Sequence, residues 1–92
     1  MKILAVCGMG FGSSMVLRMT IEKALQAMGK TATVSTSDIG SAKSEAADVI
    51  VTSEEFSDLL SDRGIPIVTV KNYVDQGEIE AKLLPVFEQK EE

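Results

Sequence analysis

Three features of the sequence predict an α/β fold in which a four-stranded parallel sheet lies between helices in three layers. Short apolar or β-branched runs alternate with stretches of helical spacing, their connections are short, and a glycine-rich turn joins the first run to the first helix. The first strand covers about residues 2–6. A helix over about 13–28 follows, with Met15, Leu17, Met19, Ile21, Leu25 and Met28 near helical spacing and Gly29 as its stop. The second strand, 31–36, is β-branched and alternating. Asp38 to Ala47 is rich in Ser, Gly and Ala, and it predicts a crossover with at most a turn or two of helix. The third strand, 48–52, leads into a helix over about 54–61 that ends before Arg63 and Gly64. The fourth strand, 66–70, precedes a last helix that starts after Asp75, with Glu78 placed for a capping box, and runs to about Phe87 despite Pro85. Right-handed crossovers then give the order 2-1-3-4, a doubly wound, Rossmann-like sheet with ligands expected at the carboxyl ends of its strands.

The bulk numbers narrow the function. The chain has 92 residues, so residues 1–92 are expected to form one domain with a charged tail at about 88–92. A net charge of −5, with Lys and Arg scattered, argues against a nucleic-acid partner. No apolar run approaches the ~18 residues needed to cross a bilayer, and the opening MKILAVCG lacks the features of a signal peptide. A cytoplasmic protein is expected, in keeping with one unpaired cysteine. Histidine is absent, which removes the usual general base, zinc ligand and phosphorylatable imidazole, and no metal or cofactor is expected.

That single cysteine, Cys7, follows the first strand directly and opens the run Gly8, Met9, Gly10, Phe11, Gly12, Ser13, Ser14. Alternate glycines let successive backbone N–H groups face one concavity, and the next helix directs its positive end there. Such a site favours anions. It lowers a thiol pKa from about 8.5 toward the range of roughly 3.5–7.5, and it can hold a phosphoryl group on the sulfur. Cys7 is therefore the candidate nucleophile, and Gly8 through Ser14 are the candidate phosphate-binding loop.

Low-molecular-weight tyrosine phosphatases have a comparable strand, loop and helix, with an arginine six residues after the cysteine to clamp the phosphoryl group. Here that position is Ser13. Without the bidentate fork, attack by water loses a charge-assisted clamp, so transfer to another acceptor is favoured over hydrolysis. The segment CGMGFGSSMVLRMTIEKAL, with SDIGSAK, VIVTSEEF and VTVKNYVD later in the chain, resembles the IIB component of the sugar phosphotransferase system, most closely its ascorbate-type branch, with galactitol-type IIB as a relative. The resemblance implies a low-molecular-weight-phosphatase-like fold and a cytoplasmic phosphocarrier that meets the membrane transporter peripherally. Cys7 would accept phosphate from a phosphohistidine of the IIA component and pass it to a sugar, L-ascorbate, bound by the membrane IIC component. The alternatives are a cysteine-dependent phosphatase, a IIB for galactitol or another sugar, and a thiol redox switch, which lacks a resolving cysteine here.

Other residues admit two readings each. Ser13 and Ser14 serve as helix caps or phosphate donors. Met9 and Phe11 cover the thiol or form part of a docking surface. Thr52 and Ser53, at the end of the third strand, place hydroxyls near the phosphate or cap the next helix. Asp38 is an acid–base group or a turn former. Arg18 faces a partner or solvent, and Met15, Met19 and Met28 belong to an adaptable interface or, more commonly at that spacing, to the core.

Overall fold

The computed structural model describes residues 1–6 and 11–90, with side chains described for residues 1–6, 15–54, 56–62 and 64–88. The elements run β1 (Lys2–Val6), α1 (Phe11–Met28), β2 (Thr33–Ser37), α2 (Ile39–Ala42), β3 (Val49–Thr52), α3 (Glu54–Leu60) with a 3-10 turn (Ser61–Arg63), β4 (Ile67–Thr69) and α4 (Gln76–Lys90). The four strands are parallel in the order β2-β1-β3-β4, as the sequence predicts.

Strand periodicity decides which helix covers which face. Ile3, Ala5, Val49, Val51, Val34, Val68 and Val70 pack against Leu17, Ile21, Ala24 and Leu25 of α1 and Ile79, Leu83, Val86 and Phe87 of α4. The alternate residues Leu4, Val6 and Ile50 meet Ala42 of α2 and Leu60 of α3, with Ile39, Ala47, Ile65 and Ile67 closing the margin. The inner strands β1 and β3 are thus buried on both faces, which is why they read as unbroken apolar runs. Each fully buried Leu or Ile contributes about 1.5–3 kcal/mol over the exposed state. The edge strand β2 instead buries only Val34 and exposes Thr33 and Thr36, one on each face.

Element boundaries depart from the sequence reading in ways that have physical causes. The helix α1 begins at Phe11, so Phe11 and Gly12, expected in the loop, belong to its first turn. At its other end Gly29 takes φ +69°, donating its N–H to the Gln26 carbonyl while Lys30 N–H reaches the Leu25 carbonyl. This pair of bonds is a Schellman motif, which occupies Lys30 and delays β2 until Thr33 rather than residue 31. In β4, Pro66 and Val70 still take part in the ladder: the Pro66 carbonyl accepts Ile50 N–H at 3.0 Å, and Val70 N–H donates to the Thr52 carbonyl at 2.9 Å. The crossover 38–47 holds one helical turn, and α4 runs through Pro85 to Lys90.

The methionines of α1 divide. Met28 is partly buried against the core, whereas Met15 and Met19 are 58% and 52% exposed, so the core reading fails for both. The face that α1 turns to the sheet is filled by Leu17, Ile21, Ala24 and Leu25, which leaves the other side of the helix to Met15, Val16 and Met19.

Candidate functional site

The carboxyl edge of the sheet is made by Val6, Ser37, Thr52 and Thr69, the last residues of the four strands. The chain passes from Val6 at this edge to Phe11 in four residues. Those four, Cys7, Gly8, Met9 and Gly10, lie outside the described residues, as do the side chains of Phe11, Ser13 and Ser14. What can be built is the frame that holds both ends of the segment.

On the strand side that frame is buried and hydrogen-bonded. Val6 is fully buried, and it lies opposite Ser37 in the β1–β2 register. On the other flank the β1–β3 register stops at Ala5 and Val51. There the fully buried Thr52 donates its hydroxyl to the Val6 carbonyl at 2.9 Å. Among the described residues the Thr52 hydroxyl proton goes to β1, and Ser53, not Thr52, holds the N-cap position of α3. Ser53 has extended backbone there, at φ −83° and ψ 164°, but its side chain makes no capping bond. Its carbonyl accepts the N–H groups of Phe56 at 3.1 Å and Ser57 at 3.2 Å.

On the helix side, α1 is eighteen residues long and carries no acidic side chain in its first turn. Each of the other three helices has an acidic residue at its start, and α3 opens on Glu54. Asp38 caps α2 by accepting Ser41 N–H at 2.7 Å, and Glu78 stands in the first turn of α4. Bonds from the Ser41 backbone and hydroxyl, with a further one from Gly40 N–H, outweigh a small burial cost and hold the Asp38 carboxyl below its ordinary value. That is a helix cap, a structural role for Asp38.

The adjoining edge positions are occupied as well. Ser37 donates to a Glu45 carboxylate oxygen at 3.3 Å, and the other Glu45 oxygen pairs with Lys2 Nζ at 3.2 Å. Past β4, Glu78 accepts the N–H groups of Lys71 and Asn72, and Lys82 Nζ joins Glu78 to the Thr69 carbonyl. Sequence reasoning missed this clamp. The spacing of Glu78 and Lys82 signals their i,i+4 pair, but only the fold brings the 71–72 connection under the carboxylate. Arg18 pairs with Glu22 at 3.7 Å on the exposed side of α1, the solvated arrangement. Among the described residues no cluster of acidic side chains has the makings of a metal site, and no helix is long and apolar enough to cross a membrane.

The frame therefore offers a four-residue connection containing the chain's one thiol, fixed at one end to a buried inner strand and at the other to a helix whose first turn has no carboxylate of its own. A family model described as "PTS system, Lactose/Cellobiose specific IIB subunit" matches residues 2–84. An ascorbate-specific PTS system EIIB component from Mycoplasma pneumoniae is 34% identical over 90 residues, covering 95% of both chains. One from Salmonella typhimurium is 35% identical over 91 residues, covering 96% of this chain and 90% of its own. In fold, the chain is similar to the lactose-specific IIB component domain of Streptococcus pneumoniae, with a TM-score of 0.61 at 19% identity over 96% and 95% of the two chains. The solution structure of the cellobiose-specific IIB protein of Borrelia burgdorferi gives a TM-score of 0.57 at 26% identity, covering 94% of this chain and 86% of that one. A match that spans the sheet and its helices, at this identity to curated relatives, means that the chain belongs to the IIB family of the sugar phosphotransferase system.

Proposed function

We propose that the chain is a phosphocarrier in which Cys7 accepts a phosphoryl group from the phosphohistidine of a IIA component and passes it to a sugar on the membrane IIC component. In the first step the Cys7 thiolate attacks phosphorus, a P–S bond forms, and the P–N bond breaks as the imidazole leaves and takes up a proton. In the second step a sugar hydroxyl attacks, a P–O bond forms, and the P–S bond breaks to return the thiolate, the hydroxyl proton passing to solvent or a transporter base. Both steps exchange one leaving group for another and need no oxidant, metal or cofactor.

One observation carries the proposal: the residue after Val6, at the carboxyl end of an inner strand, is the chain's only cysteine, and α1 starts four residues later without an acidic first turn. Unpaired N–H groups at such a helix start favour a thiolate and then a phosphoryl dianion. Gly8 to Ser14 are proposed as the donors. With no histidine in the chain, the donor imidazole belongs to the partner. The carrier meets two proteins in turn, which calls for small, weak interfaces and a cytoplasmic protein in passing contact with its transporter.

L-ascorbate is the proposed sugar. The curated relatives that share about a third of their residues over nearly the whole chain carry that name, whereas the lactose- and cellobiose-specific structures are more distant in sequence. Phosphorus NMR after incubation with phosphoenolpyruvate, the general phosphotransferase proteins and a cognate IIA tests the whole scheme. A thiophosphate resonance is expected in wild type, absent in Cys7→Ser, and discharged by transporter membranes with ascorbate in preference to galactitol, lactose or cellobiose. An unmodified Cys7 with active donors, beside steady hydrolysis of an aryl phosphate, would assign the protein to the cysteine phosphatases instead.

A further inference from the structure

Eight residues of the two inner strands, Ile3 to Val6 and Val49 to Thr52, are completely buried, and seven of them are aliphatic. Thr52 is the exception. A valine has nearly its shape, suits a strand equally well and brings no hydroxyl to satisfy, so packing alone gives no reason for threonine there. Among the described residues the hydroxyl has one partner, the carbonyl of Val6, 46 positions earlier in the chain. The bond lies where the β1–β3 register has just ended at Ala5 and Val51. In a sheet of order β2-β1-β3-β4 that point, between β1 and β3, is where the strand order reverses and the crevice at the carboxyl edge opens.

Thr52 is itself anchored. Its carbonyl accepts Val70 N–H at 2.9 Å, and its place in the register lies opposite Thr69. The edge strand β4, through β3, therefore fixes the oxygen on which β1 ends. A peptide unit is planar, so the Val6 oxygen and the nitrogen of the next residue turn together. Holding that oxygen limits the direction in which the chain leaves the sheet.

We propose that Thr52 is a positioning residue for Cys7: its hydroxyl holds the Val6 carbonyl across the β1–β3 crevice and so sets the direction of the peptide that enters the cysteine. The proposal goes beyond the phosphocarrier scheme and rests on it only in taking Cys7 as the reacting group. In this role Thr52 acts through Val6 and needs no contact with phosphate or sugar. With the anchor gone, β1 can turn its last peptide, and the direction in which the chain leaves the sheet toward Cys7 is no longer held.

The chain has one cysteine, so alkylation by iodoacetamide reports on Cys7 alone. Across a pH series, Thr52→Val is expected to slow alkylation at neutral pH on the order of tenfold and move the profile to higher pH. Thr52→Ser, which keeps the donor, is expected to restore the wild-type profile. Transfer from a phosphorylated IIA should fall in kcat for the valine variant with KM for the donor protein unchanged. Val34→Ala, a core change on β2, controls for lost stability. The proposal is overturned by a folded valine variant with the wild-type profile, or by an equal shift in Val34→Ala. A stable Thr52→Ser with a displaced profile overturns it too, so the test stands even where the valine variant does not fold. A wild-type protein that active donors leave unphosphorylated sinks the carrier scheme instead, while the alkylation series still decides the role of Thr52.

Discussion

Glu78, in the first turn of α4, holds the N–H of Lys71 between its two carboxylate oxygens at 3.1 and 3.2 Å, seven residues back along the chain. The expected capping box is therefore only half made. Asp75 accepts Glu78 N–H at 3.0 Å, as a cap should, but Glu78 reaches past Asp75 to the 71–72 connection. Lys82 Nζ neutralises the carboxylate at 3.1 Å and also bonds the Thr69 carbonyl. One acid thereby ties the exit of β4 to the helix that covers the sheet.

Stability should accordingly fall in acid through Glu78. Partial burial pushes its carboxyl up, but Lys82 and the N–H groups of Asn72 and Lys71 outweigh this and hold it below the ordinary 4.5. A folded-state value below the unfolded one means that the folded form binds fewer protons. The stabilisation is complete above the unfolded value and is lost as pH falls through the folded one. Asp38 is shifted the same way and adds to the acid limb. Thermal melts of wild type and Glu78→Gln from pH 7 to pH 3 check this. The glutamine variant should melt lower at neutral pH and show the shallower fall in acid; parallel curves would show that the clamp does not depend on charge.

Gly29→Ala should destabilise by about 1–2 kcal/mol, the cost of forcing a Cβ into the left-handed region. A Cβ there would meet nothing within 4 Å, so the penalty is one of backbone conformation and not of a clash. Gly29→Asn, which tolerates that conformation better, should lose less. Urea unfolding of the two variants separates these effects, and equal losses would point to a steric cause.

How far the fold could be read from the sequence depends on the range of the interaction involved. The strand order follows from alternation and crossover rules, because β1 and β3 are apolar on both faces and β2 is not. Gly29 was legible as a helix stop because its signal is local. Thr31 and Ala32 have strand character, so the sequence pattern starts β2 too early, while the bond from Lys30 to Leu25 that excludes them from the strand is a consequence of the turn. Met15 and Met19 fit the helical spacing, yet periodicity in a methionine-rich helix does not say which side meets the sheet. Its place at a strand end singles out Thr52. Its partner could not be read, since a hydroxyl that bonds a carbonyl 46 residues away leaves no trace in local pattern.

The two sides of α1 should answer very differently to truncation. Leu17 is fully buried between the sheet and α4, and Leu17→Ala should cost about 2–5 kcal/mol. Met19→Ala removes a side chain that is 52% exposed and should change stability by no more than about 0.5 kcal/mol. Chemical unfolding checks both. A large loss in the methionine variant would return Met19 to the core.

Pro85 lies inside α4 and is exposed, although an interior proline removes a helical hydrogen bond and crowds the preceding turn. Pro85→Ala should relieve about 3 kcal/mol of helix cost and forfeit about 0.4–1 kcal/mol of restriction in the unfolded chain. The larger effect decides the sign, so the variant should be more stable by about 2 kcal/mol, seen as a higher Tm. A lower Tm would mean that the proline sets a bend on which the packing of Val86 and Phe87 depends.

The choice between carrier and phosphatase turns, by the sequence argument, on position 13. A cysteine-dependent phosphatase uses an arginine six residues after its nucleophile, and this chain has serine there. The guanidinium fork would bind two equatorial oxygens at once and favour attack by water on the phosphocysteine. Ser13→Arg should therefore shorten the life of the isolated phosphoprotein on the order of tenfold, a fraction of what one well-placed oxyanion donor supplies in an evolved site. Release of inorganic phosphate from the separated, phosphorylated protein measures it directly. Faster release in the arginine variant, with wild type releasing phosphate slowly, supports a site adapted to hand its phosphoryl group onward. Rapid hydrolysis by wild type itself would remove the reason for reading Ser13 as the feature that spares the intermediate.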